Sequence, residues 1–228
     1  MKILIAIRCC HARQTYAQAM RDTWLKNSPV DYKIFYGDGH HELKDDEVQL
    51  PVPDDYDHVV TKAQKMFEWA VAHDYDFIAK ADDDVYGFPD RLLASDYANW
   101  DFVGGESFGI DEYNRLFKYW NDRIAPGGFY WLSKKAMQAL IAVKGPGDGE
   151  ERWIAEVLSK QGIKVHLDAR TGCYGNLKSG SYEFVNGSLP RESEVIALYE
   201  FNPEQMVAEH NQWLAGTRKF PTDSKGRF

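Results

Sequence analysis

YDFIAKADDDVYG, residues Tyr75 to Gly87, is the stretch whose reading decides the fold. Its first half, YDFIAKA (Tyr75 to Ala81), predicts a buried strand, and three aspartates, Asp82, Asp83 and Asp84, follow at its carboxyl end. Adjacent carboxylates repel one another unless something cationic offsets them. A single aspartate after a strand reads as a solvated turn. Three in sequence point instead to a divalent cation, Mn²⁺ or Mg²⁺, because both take hard oxygen ligands. Two aspartates leave such a cation partly open, which suggests a nucleotide diphosphate bound through the metal.

Outward from this stretch, strands alternate with helices. KILIAI (Lys2 to Ile7) and YKIFYGDG (Tyr32 to Gly39) predict strands, and HARQTYAQAMRDTWLK between them predicts a helix. His58 to Asp74 places Val59, Ala63, Met66, Phe67, Ala70 and Val71 on one helical face. Strands are predicted at FVGGESF, at GGFYWLS (Gly127 to Ser133) and at IKVHLD, and helices at PDRLLASDYA, KKAMQALIAV, EERWIAEVLSKQG and PEQMVAEHNQWLAG. The pattern implies an α/β fold, a mostly parallel central sheet flanked by helices in one domain. That domain is expected over residues 1–218, with a nucleotide-binding part over about 1–105 and an acceptor-binding, catalytic part over about 106–218. Residues 219–228 read as a tail. In open α/β sheets ligands bind at the carboxyl ends of the strands, where the aspartates stand.

The formal net charge of −8 over 228 residues disfavours binding to nucleic acid through overall electrostatics. The three cysteines, Cys9, Cys10 and Cys173, make no disulfide framework, and a reducing, cytoplasmic setting without secretion or a membrane anchor is expected. There is no G-x-x-x-x-G-K-[ST] loop and no G-x-G-x-x-G after the first strand, where AIRCCHAR stands instead. A P-loop NTPase and a dinucleotide Rossmann site are thereby disfavoured.

An Asp-x-Asp at a strand end in such a domain resembles the nucleotide-sugar glycosyltransferases of GT-A-like (Rossmann-like) fold. The wider pattern resembles their β-1,3-galactosyltransferase and Fringe-like family. The residues that carry the resemblance are RQTYAQAMRDTW, KIFYGDG, DYDHVVTKAQKMFEWAVAHDYDFIAKADDDVY, APGGFYWLSKKAMQAL and GEERWIAEVLSKQGI, in order over roughly Ile3 to Asp168. The family's Glu-Asp pair is Glu150-Glu151 here.

The resemblance implies a metal-dependent, inverting transfer of a hexose from a nucleotide diphosphate sugar, with UDP the default, to a glycan or other acceptor hydroxyl. It makes Asp84 the main metal ligand, with Asp82 on the ribose or a metal-bound water and Asp83 between them. His166 would complete the metal site, with Asp168 as its substitute. Glu151 aligns with the catalytic acidic residue, and Glu150 and Asp148 are the other candidates for the general base. Lys62 matches a family lysine. Arg8 and Arg13 flank the end of the first strand, where a uridine and its phosphates would lie, and Asp38 could accept from the base. Gly127 and Gly128 would let backbone approach a sugar closely, or else mark a strand bulge. RLFKYWNDR (Arg115 to Arg123) reads as an acceptor-facing loop or an exposed helix. Two other readings are a viral-type transferase acting on hydroxymethylated DNA, which the acidic pI of about 5.4 disfavours, and a non-catalytic metal- or nucleotide-binding protein.

Overall fold

The structure, a computed structural model, describes residues 1–39, 41–105, 108–110, 116–118, 127–147, 149–171, 175–176, 181–182, 196–199 and 201–217. The strands are Ile3–Arg8 (β1), Asp31–Tyr36 (β2), Glu47–Gln49 (β3), Phe77–Asp82 (β4), Tyr86–Gly87 (β5), Phe102–Gly104 (β6), Phe108–Ile110 (β7), Leu116–Lys118 (β8), Phe129–Ser133 (β9), His166–Leu167 (β10), Gly175–Asn176 (β11), Ser181–Tyr182 (β12) and Ala197–Leu198 (β13). The helices are Gln14–Asp22 (α1), Val59–Ala72 (α2), Pro89–Leu93 (α3), Lys134–Ile141 (α4), Glu150–Lys160 (α5) and Pro203–Ala215 (α6).

Seven strands form one sheet in the order β10-β6-β9-β4-β1-β2-β3. Every pairing in it is parallel except the two made by β9, which runs antiparallel between β4 and β6. This is the expected α/β architecture, a mostly parallel central sheet flanked by helices. From β1 the chain lays β2 and then β3 on one side and returns to lay β4 on the other. The order therefore reverses between β1 and β4, and the crevice at that reversal opens at their carboxyl ends.

Both faces of the sheet are covered, which is why β1 is apolar from Ile3 to Ile7 instead of alternating. Ile3, Ile5 and Ile7 pack in a core with Ala17 and Met20 of α1 and Met206 of α6. Leu4 and Ala6 pack on the opposite face with Ala63, Met66 and Phe67 of α2, Leu140 of α4 and Trp153 of α5. Helix α2 buries Val60 where Val59 was expected. Trp24 and Trp153 are buried, while Trp69 is half-buried against Phe35 and Tyr75. RLFKYWNDR contributes strand β8, paired with β7, so the helical reading is corrected for those three residues; the rest of it lies outside the described residues, as does the tail.

The turn that carries the aspartates is tied to the C-terminal segment. Strand β5 pairs with β13, Phe88 N–H donates to the Ile196 carbonyl at 2.8 Å, and Phe201 N–H donates to the Asp84 carbonyl at 2.9 Å. At the far side of the sheet, Arg21 of α1 holds Asp46 at 2.7 Å and Glu47 at 2.6 Å. Burial pushes the Glu47 carboxyl up, but the Lys44 N–H, Arg21 and His41 outweigh it and hold it at about 2. A carboxyl depressed on folding stabilises the native state above its unfolded value and loses that contribution as pH falls through the folded one. In acid titrations followed by urea unfolding, the wild type is expected to lose more stability than Glu47→Gln between about pH 4.5 and about pH 2.

Candidate functional site

Arg8 ends β1 and Asp82 ends β4, and the register makes them lateral partners across the crevice. Both Nε of Arg8, at 3.0 Å, and Nη2, at 2.8 Å, reach Asp82 Oδ1. Lys80 projects from the same face of β4 as Asp82, two residues on, and its Nζ lies 2.7 Å from that same oxygen. Lys80 is fully buried. It also donates to the Gly127 carbonyl and lies 3.5 Å from Glu150 Oε1. Glu150, buried at the start of α5, pairs through Oε2 with Arg8 Nη1 and accepts at Oε1 from the Tyr130 hydroxyl at 2.6 Å.

Magnitudes explain why these ions occur as a group. Removing one ion from water costs several kcal/mol. A pair about 3 Å apart regains about 5 kcal/mol at an effective dielectric constant of about 20. One partner per ion therefore roughly breaks even, and each ion here has at least two. Burial works against the charge on Arg8, yet Asp82 and Glu150 more than offset it and keep the guanidinium protonated. Burial also pushes the Asp82 carboxyl up, and Arg8 and then Lys80 bring it below its ordinary value. Burial and then Glu150 hold the Tyr130 phenol far above its usual range, so it stays a donor.

Asp83 and Asp84 face Arg13. Asp83 is buried, 3.1 Å from Arg13 Nη1, and its carboxyl is pushed up to about 6 by burial against the pull of Arg13. Asp84 keeps about a third of its side chain in solvent, 3.5 Å from Arg13 Nη2. Burial and the neighbouring Asp82 raise its carboxyl above the ordinary value. Among the described residues every donor to the Asp82 side chain uses Oδ1, and the Arg13 contact to Asp84 uses Oδ2. Among the described residues nothing donates to Asp82 Oδ2 or Asp84 Oδ1. Carboxylate oxygens that accept from no donor are able to ligate a hard divalent cation. No group of three or more His, Cys, Asp or Glu side chains able to hold a metal is present among the described residues.

His166 is not brought to the aspartates. Its register through Val103 and Trp131 makes it level with Ala79, three strands from β4, and its ring stacks on Trp100 at 3.9 Å. Asp168 is buried and committed to Arg170, at 2.5 Å from Nη2. At the start of α5, Gly149 takes a left-handed φ of 74° as the N-cap and Asp148 lies outside the described residues. The two glutamates are placed differently. Glu150 has both oxygens engaged, whereas Glu151 is half-buried and reaches Gly127, where a Cβ would stand 2.5 Å from its Oε1. A Cβ at Gly128 would stand 2.2 Å from the Tyr199 ring. The close approach read at these two glycines is thus made by the protein's own side chains and not by a strand bulge.

Of the remaining expected residues, Asp38 is exposed just beyond β2. Arg13 lies over the Tyr16 ring at 3.9 Å and is a third exposed. Arg8 and Lys62 are turned inward. Lys62, buried on α2, holds the Cys9 carbonyl at 2.8 Å and pairs with Asp54. Asp54 was missed by the sequence reading; it also accepts from His11 N–H at 2.6 Å and Gly37 N–H at 2.8 Å, so it joins the loops after β1 and β2. Lys80 and Tyr130 were missed as well. The signal for Lys80 was present, as a lysine inside an apolar strand two residues before an aspartate.

No protein-family model and no curated protein matches the chain. Among solved structures it is similar to A197 from STIV, at 16% identity over 74% of this chain and 82% of that chain, with a TM-score of 0.44. It is similar to a glycosyltransferase involved in the glycosylation of the major capsid of PBCV-1, at 13% identity over 61% and 63%, with a TM-score of 0.41. It is also similar to CMP:2-keto-3-deoxy-manno-octonic acid synthetase complexed with CTP, at 8% identity over 74% and 89%, with a TM-score of 0.48. At these values the likenesses carry no argument about activity, and the fold rests on the strand order and register above. No helix among the described residues is long and apolar enough to cross a membrane.

Lys80→Met keeps the bulk of the side chain and removes its charge, leaving Glu150 and the Gly127 carbonyl short of a donor. The expected loss in urea unfolding is about 3–5 kcal/mol, the range for breaking a buried pair; a loss within about 0.5 kcal/mol would match an ordinary surface substitution.

Proposed function

We propose that the chain is a metal-dependent glycosyltransferase that moves a hexose, with inversion, from a nucleotide diphosphate sugar to an acceptor hydroxyl, with UDP the default nucleotide. The observation that supports this best is the pair of undonated oxygens, Asp82 Oδ2 and Asp84 Oδ1, at the crevice where the strand order reverses. The charges agree with it: the carboxylates of Asp82, Asp83, Asp84, Glu150 and Glu151 exceed the cations Arg8, Lys80 and Arg13 by two, the charge of one divalent ion.

Mn²⁺ or Mg²⁺ held by Asp82 and Asp84 would act as a Lewis acid on the diphosphate leaving group. The chain supplies the rest. Arg8 and Lys80 occupy Oδ1 of Asp82 and so fix which oxygen faces the crevice. Asp38, at the neighbouring strand end, accepts from the nucleoside. Glu151, the glutamate without a hydrogen-bond partner among the described residues, takes the proton of the acceptor hydroxyl as it attacks the anomeric carbon. Glu150 is a positioning residue, since Arg8 and Tyr130 leave it neither oxygen for a proton.

Calorimetry with Mn²⁺ and UDP together tests the site. Binding of each is expected to strengthen with the other in the wild type, and this coupling is expected to vanish in Asp84→Asn. Glu151→Gln is expected to keep the coupling and to lose about 10²- to 10⁴-fold in the rate of UDP release from a UDP-sugar. Absence of any coupling in the wild type would remove the metal and the diphosphate from this reading, and coupling with full turnover in Glu151→Gln would remove Glu151 as the base.

A further inference from the structure

A second cluster of titratable side chains joins the loop after β1 to the loop after β2, apart from the acidic crevice. His11 stacks on Tyr36 with ring centroids 5.3 Å apart, and His41 meets both rings edge-on at 4.7 Å. Each imidazole places Nε2 on an oxygen. His11 Nε2 lies 3.1 Å from the Gly37 carbonyl, and His41 Nε2 lies 2.9 Å from Glu47 Oε2. The two Nδ1 atoms then face each other at 2.7 Å.

The ring protons can be counted from these partners. A carbonyl oxygen only accepts, so His11 Nε2 carries a hydrogen. The other group near that nitrogen, Asp54 Oδ2 at 3.8 Å, is also an acceptor. Glu47 is an ionised acceptor, so His41 Nε2 carries a hydrogen too. Two neutral imidazoles have only those two ring hydrogens. They would leave two lone pairs directed at each other across a distance that belongs to a hydrogen bond. A third proton is required.

We propose that His11 and His41 share one proton between their Nδ1 atoms, so that the pair carries one positive charge and acts as a proton-held clamp between the two loops. Glu47 and Asp54 stand as carboxylates at its two ends. Among the described residues, the other charged groups around it are Arg21, already paired with Asp46 and Glu47, and Lys62, already paired with Asp54. Lys44 contributes its backbone N–H to Glu47 at 3.0 Å and turns its ammonium to Gln18. The loop passes hard against the clamp: a Cβ at Gly39 would come within 1.9 Å of His11 Nε2. That loop also carries the exposed Asp38. Its existence does not depend on sugar transfer.

Where the folded state binds more protons than the unfolded chain, stability falls as pH rises. Imidazoles of an unfolded chain are neutral above about pH 6.5, so the clamp takes up a proton on folding there. Nitrogen-15 NMR of the metal-free, full-length chain at neutral pH is expected to find three protonated nitrogens among the four ring nitrogens of His11 and His41. His41→Gln places an amide N–H against His11 Nδ1 and supplies the hydrogen without the charge. Between about pH 6.5 and about pH 8.5, the wild type is expected to lose roughly 2–4 °C more in melting temperature than this variant, as for a single interaction in a chain of this size. Two ring protons in the wild type, or equal pH dependence in both proteins, overturns the clamp. So does stoichiometric binding of Zn²⁺ that His11→Ala abolishes, since a metal would then take the proton's place.

Discussion

Arg8 and Lys80, two cations at the carboxyl end of the sheet, and the two carboxylates they hold, Asp82 and Glu150, form the constraint on which the site depends. None of the four is stable in that place alone, because burying one ion costs several kcal/mol. They come from β1, β4 and the start of α5, so their mutual pairing fixes the register of the central strands and the position of the helix together. Tyr130 extends the same network onto β9. The acidic triplet then has no freedom in how it meets solvent: its first member is turned by Arg8 and Lys80, its second is buried beside Arg13, and its third stands part-way into the crevice.

The fold was legible because its signals are local. A continuous apolar β1 flanked by helical patterns requires a sheet covered on both faces, and the apolar stripe of α2 needed no partner to be read. The direction of β9 was not legible, since FYWLS buries side chains on both faces whether it runs parallel or antiparallel. The length of β10 was overestimated for a related reason: IKVHLD has the composition of a strand, but only His166 and Leu167 find a neighbour to pair with.

In the site, the place of the aspartates could be read and their partners could not. Repulsion within the triplet was correctly taken to demand cations, but Arg8 lies 74 residues from Asp82 and no local pattern couples them. The reading also gave the role of offsetting charge to a metal alone, whereas Arg8, Lys80 and Arg13 provide much of it. His166 was expected to complete the metal site because the family resemblance implied it; its stacking on Trp100 depends on how β6 and β10 pair. At Gly127 and Gly128 the need for room was legible, and the occupants, Glu151 and Tyr199, were not.

The Arg8 and Glu150 side chains that meet in the crevice are separated by 142 residues of chain. Contacts of such long range form late, because closing the loop between them costs entropy before any pairing rewards it. While the chain is being synthesised, β1 to β4 can associate long before α5 leaves the ribosome. In that interval Arg8 and Lys80 have only Asp82 as a carboxylate partner, and the crevice's three cations, Arg8, Arg13 and Lys80, balance its three aspartates. The acidic excess of the site is therefore acquired only when Glu150 and Glu151 arrive together on α5.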